Sequence, residues 1–151
     1  MKIAEALALR SDLQKRLEHL KQRLAKNARI QEGDAPEEDP AELQMDFDRS
    51  ASELTLLIQR INRTNAAAKF GSGTLADALA ARDVLKICYN AYRELANAAS
   101  TSQGRVTRSE VKFVSTVSVA ATQRKADDLA KQYRELDTRI QETDWSTVLL
   151  D

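Results

Sequence analysis

The sequence predicts a mainly all-α fold: a long antiparallel helical hairpin or coiled-coil bundle of about four helices, with a short β-strand or hairpin insertion near residues 105–117. Three observations lead there. With only 4 Gly and 2 Pro, and 30% charged side chains, the chain has few turn formers and many strong helix formers. Apolar residues recur in alternating steps of three and four along four segments. One segment, SEVKFVSTVSV, instead alternates with period two and is rich in β-branched residues.

The first helix is expected from the N-terminus to about Ile30. Its seam is Ile3, Ala6, Arg10, Leu13, Leu17, Leu20, Leu24 and Asn27, with Arg10 and Asn27 as polar members. QEGDAPEEDPAE then breaks the helix at Gly33 and Pro36. Asp39 suits a cap, Pro40 the first helical position, and Glu42 a capping box. The acids of this loop favour the N-terminus of the next helix, with a docking tip or loose cation site as the alternative.

The second helix is expected from Pro40 to Lys69, with a seam through Leu43, Phe47, Ser50, Leu54, Leu57, Ile61, Thr64 and Ala68. FGSGT stops it, and Thr74 with Asp77 gives a new capping-box start. The third helix, 74–100, carries Leu75, Ala78, Arg82, Leu85, Tyr89, Tyr92, Ala96 and Ala99. The β insertion at 105–117 must pair with the flanking TSQGRVT stretch folded back as a hairpin or with the same strand of another subunit, because one strand cannot satisfy its own backbone. The last helix, 118–143, has Val119, Thr122, Ala126, Leu129, Tyr133, Leu136 and Ile140 in heptad steps. The tail after it, with Trp145 and Val148-Leu149-Leu150, folds onto the bundle or onto a neighbour. The whole of 1–151 reads as one helical-bundle domain.

Antiparallel geometry turns these seams into a candidate site. A turn near Pro36 sets Arg10 opposite Asn62 and Leu7 opposite Asn65; a turn near Gly71 sets Asn62 opposite Arg82. Arg10, the Asn62–Asn65 group and Arg82 then form one polar level. Two arginines there need compensation, which Glu5, Asp77 or Asp83, or a bound anion, can supply. One reading is a small anionic ligand held by Arg10 and Arg82, with Asn62, Asn65 and Asp83 beside it. The other is a polar layer that fixes helix register. A metal held by Glu5, Asp77 or Asp83 is a third.

Familiar catalysis is not expected. His19 lies on a charged face, and Cys88 on an apolar face with no histidine at hand. FGSG lacks the lysine and the preceding strand of a phosphate loop. No cofactor is expected. The 23 basic and 23 acidic residues balance, so no net field draws the chain to nucleic acid. One cysteine excludes an intrachain disulfide and fits a reducing cytoplasm. The N-terminus lacks the uninterrupted apolar core of a signal peptide, and no segment reaches the ~18 apolar residues of a membrane span. Narrow seams and 5% aromatic residues make a thin bundle, so a homo-oligomer, dimer or higher, is expected.

The fragments MKIAEALALRSDLQKRLEHLKQRL, QEGDAPEEDP, INRTN, LADALAARDVL, RSEVKFVSTVSVAA and ELDTRIQETDW, in this order, resemble the septicolysin-like family of small bacterial proteins. The resemblance implies a small, mainly helical protein of uncharacterised function and brings no catalytic residues with it. The family's name implies a thiol-activated cytolysin, and membrane activity is a further alternative on that ground. The sequence leads instead to a cytoplasmic, oligomeric helical bundle acting by binding or scaffolding, with small-anion or metal binding as the alternative.

Overall fold

The computed structural model describes residues 1–100 and 112–151. In chain order these form α1 (Ile3–Lys26), α2 (Pro40–Ala67), β1 (Lys69–Phe70), β2 (Gly73–Thr74), α3 (Leu75–Ser100) and α4 (Val119–Ser146). The fold is thus mainly α, with one small antiparallel sheet among the described residues. That sheet is β1–β2, confined to the turn between α2 and α3, and not the insertion expected at 105–117. Residues 105–111 of the expected insertion lie outside the described residues, and 112–117 form no strand. Period-two alternation in so short a run does not by itself supply a pairing partner.

The helix ends follow local chemistry. The Glu5 carboxylate accepts the Lys2 backbone N–H at 2.6 Å and opens α1. The helix stops at Lys26 rather than near Ile30 because Asn27 caps it: its amide donates to the Arg23 carbonyl at 2.9 Å and accepts the Glu38 N–H at 3.0 Å. Asp39 accepts the Ala41 N–H at 2.9 Å, and Pro40 fills the first position of α2. At α3 the Thr74 N–H and hydroxyl both donate to Asp77 Oδ2, at 2.8 and 2.7 Å, and the Asp77 N–H donates back to the Thr74 hydroxyl. This turn needs its glycines. Gly71 has φ 57°, and a Cβ on Gly73 would come within 2.9 Å of the Asp77 carboxylate. Ser118 opens α4, its hydroxyl accepting the Ala121 N–H at 3.2 Å.

The chain divides into two compact units, Met1–Lys69 with Thr143–Asp151, and Phe70–Glu142. In the first, α1 and α2 pack together. Ala6 and Leu13 of α1, Leu57 and Ile61 of α2, and Leu149 form one buried cluster, with Leu7, Leu9 and Leu54 against it. The connection between the two helices is tied by Arg23, which pairs with both Glu38 oxygens, and by Lys26, 2.7 Å from Glu37. Two of the loop acids are therefore in ion pairs. In the second unit α3 and α4 run antiparallel, as the pairs Arg82–Asp137 and Tyr92–Lys125 require. Leu75, Ala78 and Ala96 are buried on α3, and Thr122, Ala126, Leu129 and Ile140 on α4.

Candidate functional site

The segment IQRINRTNAA, where the seam turns polar, holds the chain after α4. Thr64 is the buried seam residue, 1% exposed, and its hydroxyl has two bonds. It donates to the Arg60 carbonyl at 2.8 Å and accepts the Leu150 backbone N–H at 3.0 Å. Arg60 completes the grip: Nε donates to the Leu150 carbonyl at 2.9 Å and Nη2 lies 2.8 Å from Asp151 Oδ1. On the other side Lys2 and Val148 form an antiparallel bridge. The Ile3 N–H donates to the Thr147 carbonyl at 3.1 Å, the Leu149 N–H to the Met1 carbonyl at 2.9 Å, and Lys2 Nζ to the Ser146 carbonyl at 2.7 Å. Residues 147–151 are thus a strap between the start of α1 and the second half of α2. Leu149 faces the core, while Val148 and Leu150 face solvent.

The residues expected in the polar level take different places. Asn62 is exposed, and Arg63 beside it is exposed too. Asn65 is half-buried, and its Oδ1 is buried without a hydrogen-bond donor among the described residues. Arg10 is half-buried and has no ion-pair partner among the described residues. These three belong to the first unit, whereas Arg82 and Asp83 belong to the second. Arg82 is compensated there: Nη1 lies 3.0 Å from Asp137 Oδ1 and Nη2 3.5 Å from Asp83 Oδ1. Burial works against its charge, but the hydrogen bond and charge of Asp137, followed by the charge of Asp83, outweigh it and hold the guanidinium more firmly protonated. Of the acids expected to compensate the level, Asp83 lies beside Arg82, whereas Glu5 opens α1 and Asp77 opens α3. Thr74 holds the Asp77 carboxyl below its ordinary range, first through its hydroxyl and then through its backbone N–H.

Sequence reasoning missed Asp137 and singled out neither Arg60 nor Lys2. It also missed an open groove of about 340 Å³ between α3 and α4, lined by Lys86, Tyr89, Asn90, Ala130, Tyr133 and Arg134. Arg93 stacks over the Tyr89 ring at 5.4 Å beside it. The candidate acid–base and nucleophilic groups, His19 and Cys88, belong to different units. Among the described residues no three His, Cys, Asp or Glu side chains group to hold a metal ion. No helix of the described residues is long and apolar enough to cross a membrane.

A family of unknown function (DUF6847) matches residues 10–149. The chain is also similar to the crystal structure of a functionally unknown conserved protein from Corynebacterium diphtheriae: 41% identity, 99% of each chain covered, TM-score 0.95. No curated protein matches it. The resemblance to the septicolysin-like family is overturned by these matches, neither of which points to that family, and with it goes the cytolysin implied by the name. With 140 of its 151 residues inside the match, the chain belongs to DUF6847, a family of unknown function.

Proposed function

We propose that the protein works by binding, as a self-associating helical scaffold in the cytoplasm, and not by catalysis. The observation that carries this reading is the two-faced character of α3. Leu75, Ala78 and Ala96 are buried on one side, while Val84 and Ile87 are 57% and 67% exposed on the other, with Ala80, Ala91 and Leu95 in line. A helix that is apolar on both sides calls for cover on both sides. A second copy supplies that cover without any further partner. The balanced charge supports a protein partner over a nucleic acid, and the single cysteine supports a reducing compartment. Size exclusion with light scattering across the micromolar range tests the reading. Growth toward twice the chain mass is expected, and a monomer throughout would overturn it.

Arg10 favours a second reading, a small-anion site on the first unit. A half-buried guanidinium with no acidic partner among the described residues is stabilised by an anion, and Asn62 and Asn65 are the neutral groups proposed beside it. Arg82 needs no such ligand, since Asp137 and Asp83 meet its charge. A thermal-shift titration with inorganic phosphate should raise the melting temperature of the wild type and leave Arg10→Leu unmoved. Equal response of the two would end this reading.

A further inference from the structure

We infer that the groove between α3 and α4 binds a small aromatic anion, its ring lying over Ala130 toward Tyr89 and its negative group held by Lys86 and Arg134. The inference goes beyond self-association and beyond the Arg10 site. The groove lies wholly within the second unit, and its α3 residues are on the other side of that helix from the exposed Val84 and Ile87.

The register of the helix pair makes the groove. Pairing Arg82 with Asp137 sets Lys86 level with Tyr133 one turn on, and Tyr89 level with Ala130 a turn further. A methyl group opposite a tyrosine leaves space that a larger side chain would fill, and about 340 Å³ stays open there. That volume is in the range of small-ligand sites. Tyr89 and Tyr133 are half-buried, so each packs against the helix pair and still presents surface to the groove.

Charge selects the ligand. Two cations line the groove, Lys86 and Arg134, and no carboxylate does. Arg93, stacked over Tyr89 at 5.4 Å, brings a third positive charge to its edge. None of the three has an ion-pair partner among the described residues. Nearby acids are engaged elsewhere: Asp83 and Asp137 with Arg82, Glu135 with Lys131 at 3.8 Å, and Asp127 with the Gln123 amide. Glu94 follows Asn90 by one turn and is outside the lining. By contrast, the groove on the first unit lined by Lys15, Arg16 and His19 also contains Asp12 and Asp46, which meet its cations.

These groups divide the ligand into two ends. Lys86 and Arg134 stand at the Tyr133 level, where a guanidinium can take two carboxylate or phosphate oxygens at once. A flat ring then extends toward Tyr89, whose face it can stack on. Asn90 beside it can both donate to and accept from a polar ring edge.

Calorimetric titration of the full chain tests the site, with adenosine monophosphate and salicylate as probes. Running wild type and Arg10→Leu in parallel keeps the anion site proposed on the first unit apart from this one. Saturable binding of at least one probe to both proteins is expected, and which probe binds separates a nucleotide from an aromatic acid. Inorganic phosphate and adenosine each supply half of the chemistry and should bind at least ~10-fold more weakly than the better probe. Ala130→Leu, which fills the groove, and Arg134→Gln, at an exposed position, should each weaken that probe at least ~10-fold with helical circular dichroism unchanged. If Ala130→Leu disturbs the fold, Arg134→Gln and Lys86→Gln carry the test. The inference is overturned if neither probe saturates, if phosphate or adenosine binds as tightly as the better probe, or if Arg134→Gln leaves the affinity unchanged. Binding that disappears in Arg10→Leu also overturns it, since the ligand then sits on the first unit. Self-association is judged separately, by light scattering.

Discussion

Thr64 accepts the backbone N–H of Leu150 at 3.0 Å, joining a buried seam position of α2 to the segment that follows α4. A hydroxyl in an apolar seam is costly when unpaired, and here both of its bonds are internal, to Arg60 and to Leu150. The polar interruption in IQRINRTNAA therefore has a structural use. Replacing Thr64 by Val keeps the shape but strands the Leu150 N–H, at an expected loss of about 1–2 kcal/mol in urea unfolding. Thr64→Ser should recover most of it. Equal losses for Val and Ser would mean that the hydroxyl does not hold the strap.

Leu149 makes the apolar half of the same attachment. It is 5% exposed within the cluster of Ala6, Leu13, Leu57 and Ile61, while its neighbours Val148 and Leu150 face outward. Leu149→Ala should cost about 2–4 kcal/mol, and Val148→Ala no more than about 0.5 kcal/mol. Thermal melts of the two variants check the contrast. Comparable losses would place the burial on the wrong residue.

What the sequence made legible was what depends on neighbours in the chain. The caps at Asp39-Pro40 and Thr74–Asp77 were readable because both partners of each lie within three residues. The seam positions Ala6, Leu13, Leu57 and Ile61 were readable from their period. The apolar tail was legible as a segment that folds onto the bundle or onto a neighbour, but its partners were not, because an antiparallel bridge between Lys2 and Val148 joins residues 146 positions apart, and no local pattern encodes such a partner. The choice of Leu149 over Leu150 as the buried residue depends on that bridge, since alternate residues of an extended segment face opposite ways. Asp137 was hidden for a related reason. Arg82 and Asp137 lie equally far from the middle of the connection between α3 and α4. Reading that connection as a strand insertion withheld the antiparallel pairing that would have matched them.

Arg82 and Asp137 offer a direct measure of that pairing. Their side chains are 27% and 26% exposed, so solvent screens the pair only in part. Asp137→Asn should cost about 1–2 kcal/mol, because it leaves a half-buried guanidinium with Asp83 alone. A double-mutant cycle with Arg82→Met and Asp137→Leu should give a coupling of about 1 kcal/mol. Additive losses would mean that the contact contributes nothing to stability.

Asp77 gives the fold an acid-sensitive joint at the start of α3. Its carboxyl is held below the ordinary carboxylate range by the Thr74 hydroxyl first and then by the Thr74 N–H. The folded pKa thus lies below the unfolded one, near 3.8. The stability it contributes is complete above that pH and is lost as the pH falls through the folded value. Glu38, held low by its hydrogen bond with Arg23, acts in the same direction at the connection between α1 and α2. Melting wild type and Asp77→Ala side by side should therefore show the variant less stable at neutral pH and the gap narrowing below about pH 4. Arg23→Met should behave likewise, since it removes the partner that favours ionised Glu38. A gap that widened on acidification would reverse the sign of the linkage and show that Asp77 caps α3 in its protonated form.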